Sequence, residues 1–452
     1  MASSRIIVGV IACIVAAGAI AAVAVTWRSP IAVIEPPAPQ SFDPALVRRG
    51  RDLAAIGNCG DCHTLRGAKD FAGGFPVPTP FGTIYSSNIT PDAETGIGRW
   101  SEAAFRRAMR SGVDRDGRHL YPTFPYDHFI NVSDEDGRAL YAYLMTRQPV
   151  HARPRANELP FPLDQRFLIA GWKLLFLHRA AYQPDATQSA EWNRGFYLVE
   201  GLAHCGACHT PRNALGAERK SAQYAGGEAE HWHAYAINGQ SPAPVPWNAD
   251  ALFAYLRNGW HPDHGVARGP MAQVVSNLSS VPESEIRAIA AYMAGVFGAP
   301  TPDRKRRADE VLTQARSASP PPDDATPGAS IYAAACAGCH EADRPPPYGG
   351  VNLRLSTAIS SPDARNAANT VLSGVGPVEG ERSPIMPGFA ASMDDRQIAA
   401  LLSYLRARFS NAPAWSGVEK TVADARGGQA LFLQTSAGPT SAPTDPAQRG
   451  KP

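Results

Sequence analysis

The chain has 452 residues, enough for about three domains of ordinary size. A formal net charge of +2, with charged residues at 19%, leaves no electrostatic case for a nucleic-acid partner. Proline (41) and glycine (40) are both abundant, which suits small loop-rich domains that need more than their own side chains to build a core.

The N-terminus opens with an uncharged apolar run of 22 residues, Ile6 to Trp27. As a helix it would be roughly 33 Å long, sufficient for a bilayer core. We read residues 1–28 as a retained membrane anchor. The alternative is a cleaved signal peptide, for which Ala22-Val23-Ala24 is a passable cleavage site. Arg5 and Arg28 flank the run, so charge does not orient it. Val10-Ile11-Ala12-Cys13 faintly resembles a lipoprotein site, but the apolar run continues well past Cys13. A tether rich in proline and alanine follows, from Ser29 to Pro44.

Three repeats of one plan come next, at 45–150, 190–298 and 328–412. Each opens on a predicted helix: Leu46 to Leu53, Asn193 to Val199 and Gly328 to Ala333. Each then carries the same five-residue pattern: Cys59-Gly-Asp-Cys62-His63, Cys205-Gly-Ala-Cys208-His209 and Cys336-Ala-Gly-Cys339-His340. Each closes on a stronger amphipathic helix: Asp134–Met145, Glu283–Met293 and Asp395–Arg406. Acidic residues open all three, as a helix N-terminus prefers. Tyr143, Tyr292 and Tyr404 fall at matching places and are read as core. The connection from about Pro149 to Ala190 contains an apolar run, Phe167 to Leu177, interrupted by Lys173. It is too short to span a membrane and predicts a helix packed between domains; the other reading has it touching lipid or the quinone region. The connection from Gly298 to Pro327 reads as flexible, and residues 413–452 as a disordered tail.

The repeated pattern fixes the chemistry. C-x-x-C-H is the attachment signature of haem c. Two thiols form thioethers with one porphyrin, and the next residue sets an imidazole over the iron. Three such motifs use every cysteine except Cys13. A zinc site does not require histidine after the second cysteine three times over, a thioredoxin-like pair would need one motif in a βαβ unit, and disulfides leave the histidines unexplained. We therefore expect three haems c on Cys59 and Cys62, Cys205 and Cys208, and Cys336 and Cys339, with His63, His209 and His340 as proximal ligands. Haem c is attached on the periplasmic side in bacteria, so residues from 29 onward should lie there.

The sixth iron positions should fall to methionines in loops before the last helix of a repeat. Met271 stands 21 residues before Tyr292, and Met386 stands 18 before Tyr404. In repeat one the same window holds Pro122-Thr123-Phe124-Pro125, where nothing can bind iron. His128 is our candidate there, with His119 and Met109 as rivals. A five-coordinate iron is the other possibility. It would admit a stand-alone haem enzyme such as a cytochrome peroxidase, given an acid/base residue beside it. No nucleophile, metal cage or nucleotide loop is legible elsewhere, so no substrate-oxidising site is expected. Asn88-Ile89-Thr90 matches a glycosylation sequon by coincidence, and Arg212 could face either a haem propionate or solvent.

These motifs, with Asn88-Ile89-Thr90-Pro91-Asp92, Thr95-Gly96-Ile97-Gly98-Arg99-Trp100, Leu159-Pro160-Phe161-Pro162, Cys208-His209-Thr210-Pro211-Arg212-Asn213 and Met386-Pro387-Gly388-Phe389, resemble the three-haem cytochrome c subunits of membrane-bound bacterial dehydrogenases. The resemblance covers most of residues 45–410. It implies a mostly α fold of three tandem cytochrome c-like domains after a transmembrane helix, and axial roles for Met271 and Met386. It implies an electron-transfer subunit in the cytoplasmic membrane, facing the periplasm. Its partners would be a catalytic dehydrogenase of molybdenum, PQQ or flavin type, a small iron–sulfur subunit, and ubiquinone as acceptor. The family commonly has methionine where this chain has Phe124. The segment Leu120 to Phe129 looks more like cytochromes paired with molybdenum hydroxylases that act on aldehydes or N-heterocycles such as nicotinate and isoquinoline.

Overall fold

In a computed structural model, residues 26–178, 182–317, 326–341, 344–377 and 383–436 are described, with side chains to residue 428 in the final helix. The predicted anchor lies outside the described residues except for Thr26, Trp27 and Arg28. Among those described, no helix is long and apolar enough to cross a membrane. The chain forms two units: Met1–Ala54, Cys62–Thr64 and Lys69–Gln183 in the first, and Ala55–Asp61, Leu65–Ala68 and Pro184–Pro452 in the second.

Repeat one begins with α1 (Pro44–Ile56) and the motif helix α2 (Cys59–His63). A short antiparallel hairpin follows, β1 (Pro76–Thr79) with β2 (Gly82–Tyr85), pairing Pro76 with Tyr85. Helix α3 (Glu102–Ser111) starts where the Ser101 side chain accepts from the Ala104 N–H and stops at Gly112, whose φ of 58° is left-handed. After the single turn α4 (Tyr126–Phe129) comes α5 (Asp134–Met145), capped by the Ser133 hydroxyl, which accepts from Asp136 N–H at 3.1 Å. The bounds of α5 are those the sequence predicts. Helix α6 (Leu168–Phe176) forms where the apolar run predicts a helix, but its contacts with Tyr126, Ser111 and Gly112 lie within its own unit, which corrects the expected packing between domains. Its Lys173 is buried, with Nζ donating to the carbonyls of Ser111 (2.7 Å) and Gly112 (2.6 Å). A cation at the C-terminal end of α3 satisfies carbonyls that the helix itself leaves unpaired.

The second unit repeats the plan. Helix α7 (Ala190–Tyr197) runs into a π turn, Leu198–Leu202, before the motif helix α8 (Gly206–His209). The hairpin β3 (Gly227–Ala229) with β4 (Trp232–Ala234) follows, then α9 (Ala249–Asn258), the short pair β5 (Trp260–His261) with β6 (Gly265–Val266), α10 (Pro270–Ser279) and α11 (Glu283–Phe297). Repeat three supplies α13 (Pro327–Ala335), the motif helix α14 (Ala337–His340), α15 (Thr357–Ser360), α16 (Arg365–Ser373) and α17 (Asp395–Phe409), after an intervening helix α12 (Pro302–Arg316). Helix α17 opens with a capping box between Asp394 and Gln397.

One packing solution recurs three times. The opening helix crosses the closing helix at a glycine so close that a side chain would not fit. A Cβ would lie 1.9 Å from the Ala139 oxygen at Gly50, 1.9 Å from Ala288 O at Gly195, and 2.3 Å from Ala400 O at Gly328. In each case a near neighbour is the Cβ of a matched tyrosine, Tyr143, Tyr292 or Tyr404, at 2.7 to 2.8 Å. Tyr292 and Tyr404 are buried and Tyr143 half-buried. Ion pairs tie two of these crossings: Arg49 to Asp136 and Arg194 to Glu285.

Two expectations need correction. The connection after Gly298 is not a flexible linker along its length, because Pro302–Arg316 is the helix α12. Its cap is Thr301, and Arg304 donates to the carbonyls of Gly239 (2.8 Å) and Ser241 (3.0 Å). The predicted disordered tail, 413–452, is ordered where it is described, and residues 437–452 lie outside the described residues. Val418–Ser436 is a helix, α18, that buries Val418, Val422 and Ala425 in the core of repeat three, with Trp415 packed alongside. Small apolar residues suffice there because α16 and α17 already form the other walls.

Candidate haem sites

Each motif builds a short helix that carries the second cysteine and the histidine, with the first cysteine inside it in repeat one and at its N-cap in repeats two and three. The three histidines are oriented identically. His63 Nδ1 lies 2.6 Å from Ser87 O, His209 Nδ1 2.6 Å from Tyr235 O, and His340 Nδ1 2.8 Å from Val351 O. A carbonyl can only accept, so Nδ1 carries the proton and Nε2 keeps its lone pair for a metal. Burial, opposed by these same bonds, holds all three imidazoles below the usual histidine range and therefore neutral. Burial also pushes the thiols of Cys59 and Cys205 up to about 12 and that of Cys336 up to about 11, so no activated thiolate of the thioredoxin kind is present among them. Among the described residues, no cluster of cysteine and histidine ligands converges on one point as a zinc centre requires.

In the second unit one apolar cavity of about 360 Å³ is lined by both C-x-x-C-H motifs and by Met271 and Met386. Its lining suits a large apolar group. Two polar atoms of lining residues, Arg268 Nε and His264 Nδ1, are buried with no hydrogen-bond partner. Such orphans are costly. A porphyrin, apolar in its ring and carboxylated at one edge, fits both the wall and the orphans. The His264 ring also stacks on Trp247 at 3.5 Å.

Met271 differs from expectation in one respect. It lies in the first turn of α10 rather than in a loop, because Pro270 pre-sets the helix start. Gly269, at φ 56°, passes under the Trp232 ring, where a Cβ would be 2.5 Å from it. Met386 does sit in a loop, pinned by reciprocal backbone bonds to Val375 (2.8 and 2.9 Å).

Repeat one places Phe124 against Phe129, ring centres 5.3 Å apart, with His128 buried on α4. His119 has both ring nitrogens bonded, Nε2 to Thr26 O (2.9 Å) and Nδ1 to Lys173 Nζ (3.1 Å), and Met109 is buried in the face of α3. Asn88 is structural: its buried amide donates to Thr95 Oγ1 and Val150 O. Arg212 buttresses the second motif, donating to Ala207 O and Gly216 O.

Sequence reasoning missed three residues. Arg268 and His264 gain meaning only from a cavity whose other wall is about a hundred residues away. Glu200, in the π turn before Cys205, accepts from Tyr292 Oη (2.7 Å), Tyr224 Oη and Gln223 Nε2. A π turn has no pattern that would have exposed it.

A sequence model of the cytochrome c family matches residues 47–148 and 325–408. Over 407 residues the chain is 36% identical to the gluconate 2-dehydrogenase cytochrome c subunit of Pantoea cypripedii, covering 84% of this chain and 90% of that protein. The chain belongs to the dehydrogenase cytochrome c subunits. The fructose dehydrogenase cytochrome subunit of Gluconobacter japonicus is 34% identical over 435 residues, 89% of this chain and 87% of that protein. A nicotinate dehydrogenase subunit of Pseudomonas putida is 46% identical over 409 residues, 90% of this chain. This chain spans only 34% of that relative. As a cytochrome c subunit the chain is a haem c protein that transfers electrons. Its middle repeat lies outside the segments matched by the family model, yet it shares the glycine crossing and the histidine orientation of the other two.

Proposed function

We propose that this cytochrome c subunit carries three haems c, takes electrons from a catalytic dehydrogenase subunit, and delivers them to ubiquinone from the periplasmic face of the cytoplasmic membrane. The observation that carries the reading is the threefold C-x-x-C-H helix with its histidine fixed through Nδ1. Cys59 with Cys62, Cys205 with Cys208, and Cys336 with Cys339 would hold the porphyrins, under His63, His209 and His340. Haem c supplies a one-electron carrier whose potential rises when methionine is the second axial ligand.

The residues' own contributions follow. Met271 and Met386, which line the shared cavity, would serve as second ligands. Arg268 and His264 would donate to propionates that enter the cavity. The common cavity brings the second and third motifs to one water-poor space, which favours exchange between them. In repeat one, where Phe124 fills the methionine window, His128, buried on α4 beside the Phe129 that packs on Phe124, would be the second ligand.

The likeness to the nicotinate dehydrogenase subunit, together with the segment Leu120 to Phe129, favours a molybdenum hydroxylase with a small iron–sulfur subunit as the donor. Three haems per chain by pyridine haemochrome assay, retained through acid–acetone extraction, test the cofactor. Affinity isolation from native membranes, with mass spectrometry of what accompanies the chain, tests the donor. A count near one or two, or isolation without any dehydrogenase, would overturn the corresponding half.

A further inference from the structure

Helix α6 is built the wrong way round for water. Its one cation, Lys173, is buried, as is Ala170 on the same stripe. The opposite stripe, Phe167, Leu168, Gly171, Leu174 and Leu175, is exposed, and all but the glycine are large. Leu174 is 70% exposed and Leu175 64%. Phe161 and Leu163, in the turn before the helix, extend the patch, with Phe161 at 81%. A surface helix of a globular protein shows the reverse arrangement. Scattered exposed leucines need no explanation, but a contiguous apolar stripe marks a binding face.

The rotation of α6 is fixed. Lys173 Nζ donates to the carbonyls of Ser111 and Gly112, the second of which also accepts from Leu120 N–H, so turning the leucines inward would cost the Ser111 carbonyl its cation and leave a buried charge without these partners. At nine residues the helix is far too short to span a bilayer.

The occupant of this face is indicated by what is tied to it. Lys173 also bonds His119 Nδ1, and Arg166 donates to His119 O at 3.0 Å. The other ring nitrogen of His119 bonds Thr26 O. Thr26 and the exposed Trp27 end the uncharged run that begins at Ile6. One histidine therefore joins the end of the apolar N-terminal run to the helix that presents an apolar face. Tryptophan at such a junction suits the headgroup level of a membrane.

We infer that α6 and the turn before it lie in the headgroup–acyl boundary of a phospholipid bilayer, a second contact beside the N-terminal anchor. An amphipathic helix of this kind sits with its apolar face roughly 5–10 Å into that boundary. The inference rests on the membrane location proposed above, and it adds a fixed orientation: α3 and the His119 cluster face the bilayer side of the first unit.

Photocrosslinking in native membranes tests it on the full-length, haem-loaded chain. Leu174→p-benzoylphenylalanine and Leu175→p-benzoylphenylalanine should give phospholipid adducts on the α6 peptide, several-fold above Arg396→p-benzoylphenylalanine, which is exposed far along the sequence. The haem absorption spectrum of each variant checks folding and loading. Adducts of Leu174 to another polypeptide, or none, overturn the inference. Val15→p-benzoylphenylalanine reads the anchor separately. Lipid at Val15 but not at Leu174 defeats the interfacial contact alone. Lipid at Leu174 without Val15 supports the contact and defeats the anchor.

Discussion

Gly195 approaches Ala288 so closely that a Cβ would sit 1.9 Å from the carbonyl oxygen. The contact brings Arg194 onto Glu285 at 2.8 Å and sets α7 against α11 just upstream of the second motif. Gly195→Ala should therefore force the two helices apart. We expect a loss of about 1–3 kcal/mol or more in unfolding free energy, the scale of core overpacking. Denaturant unfolding of the haem-loaded protein measures it. An exposed control, Gly171→Ala in α6, has nothing within 4 Å of its new Cβ and should stabilise by about 0.5–1 kcal/mol, because alanine is the better helix residue. Equal effects at both sites would refute the close-crossing account.

Met271 and Met386 are proposed as equivalent ligands on one cavity, so their replacement should give separable and additive spectra. Each single change to alanine should remove about half of the methionine–iron absorption band and lower the potential of one haem only. The double variant should lose the band. A band that survives the double change would exclude both residues.

His128→Ala should convert one low-spin haem to high-spin while the methionine band remains. Redox titration of the unaltered protein should resolve one haem below the other two, since two nitrogen ligands lack the methionine effect. If the variant keeps its low-spin spectrum, His128 is not the ligand.

His119 predicts a pH effect of definite sign. Burial, then the neighbouring Lys173 cation, holds its folded value below the ordinary 6.5. Above about 6.5 the imidazole is neutral in both folded and unfolded chains, and its contribution is fully present. As pH falls below that, the unfolded chain takes up the proton first, and stability is lost toward the depressed folded value. Unfolding curves from pH 8 to 5 should show this decline, and His119→Gln should flatten it. A steeper decline in the variant would contradict the assignment.

Helices are legible in the sequence where periodicity and caps agree. Asp134–Met145 carries a serine cap, three acidic residues in its first turn and a clean apolar face, and its bounds are those predicted. The segment from Val418 reads as a tail because its composition is that of one. Its order comes from Val422 and Ala425 filling a gap between α16 and α17, which no local pattern announces. The covalent and proximal positions are legible because the chemistry demands contiguity. Arg268 and His264 are not, because their burial depends on residues from Trp247 to Phe389 closing over them. Spacing finds Met271 but puts it in a loop, since Pro270 can as readily end a turn as start a helix.

The cavity common to the second and third motifs bears on maturation. A chain that received only one of the two groups would keep an apolar hollow with its walls wetted, at roughly 25 cal/mol for each Å² left uncovered. The core of that unit would close only when both attachments are complete. Half-finished molecules would open more readily and fall to proteases first. Quality control of cofactor loading would then be built into the packing of the chain itself, without any dedicated sensor.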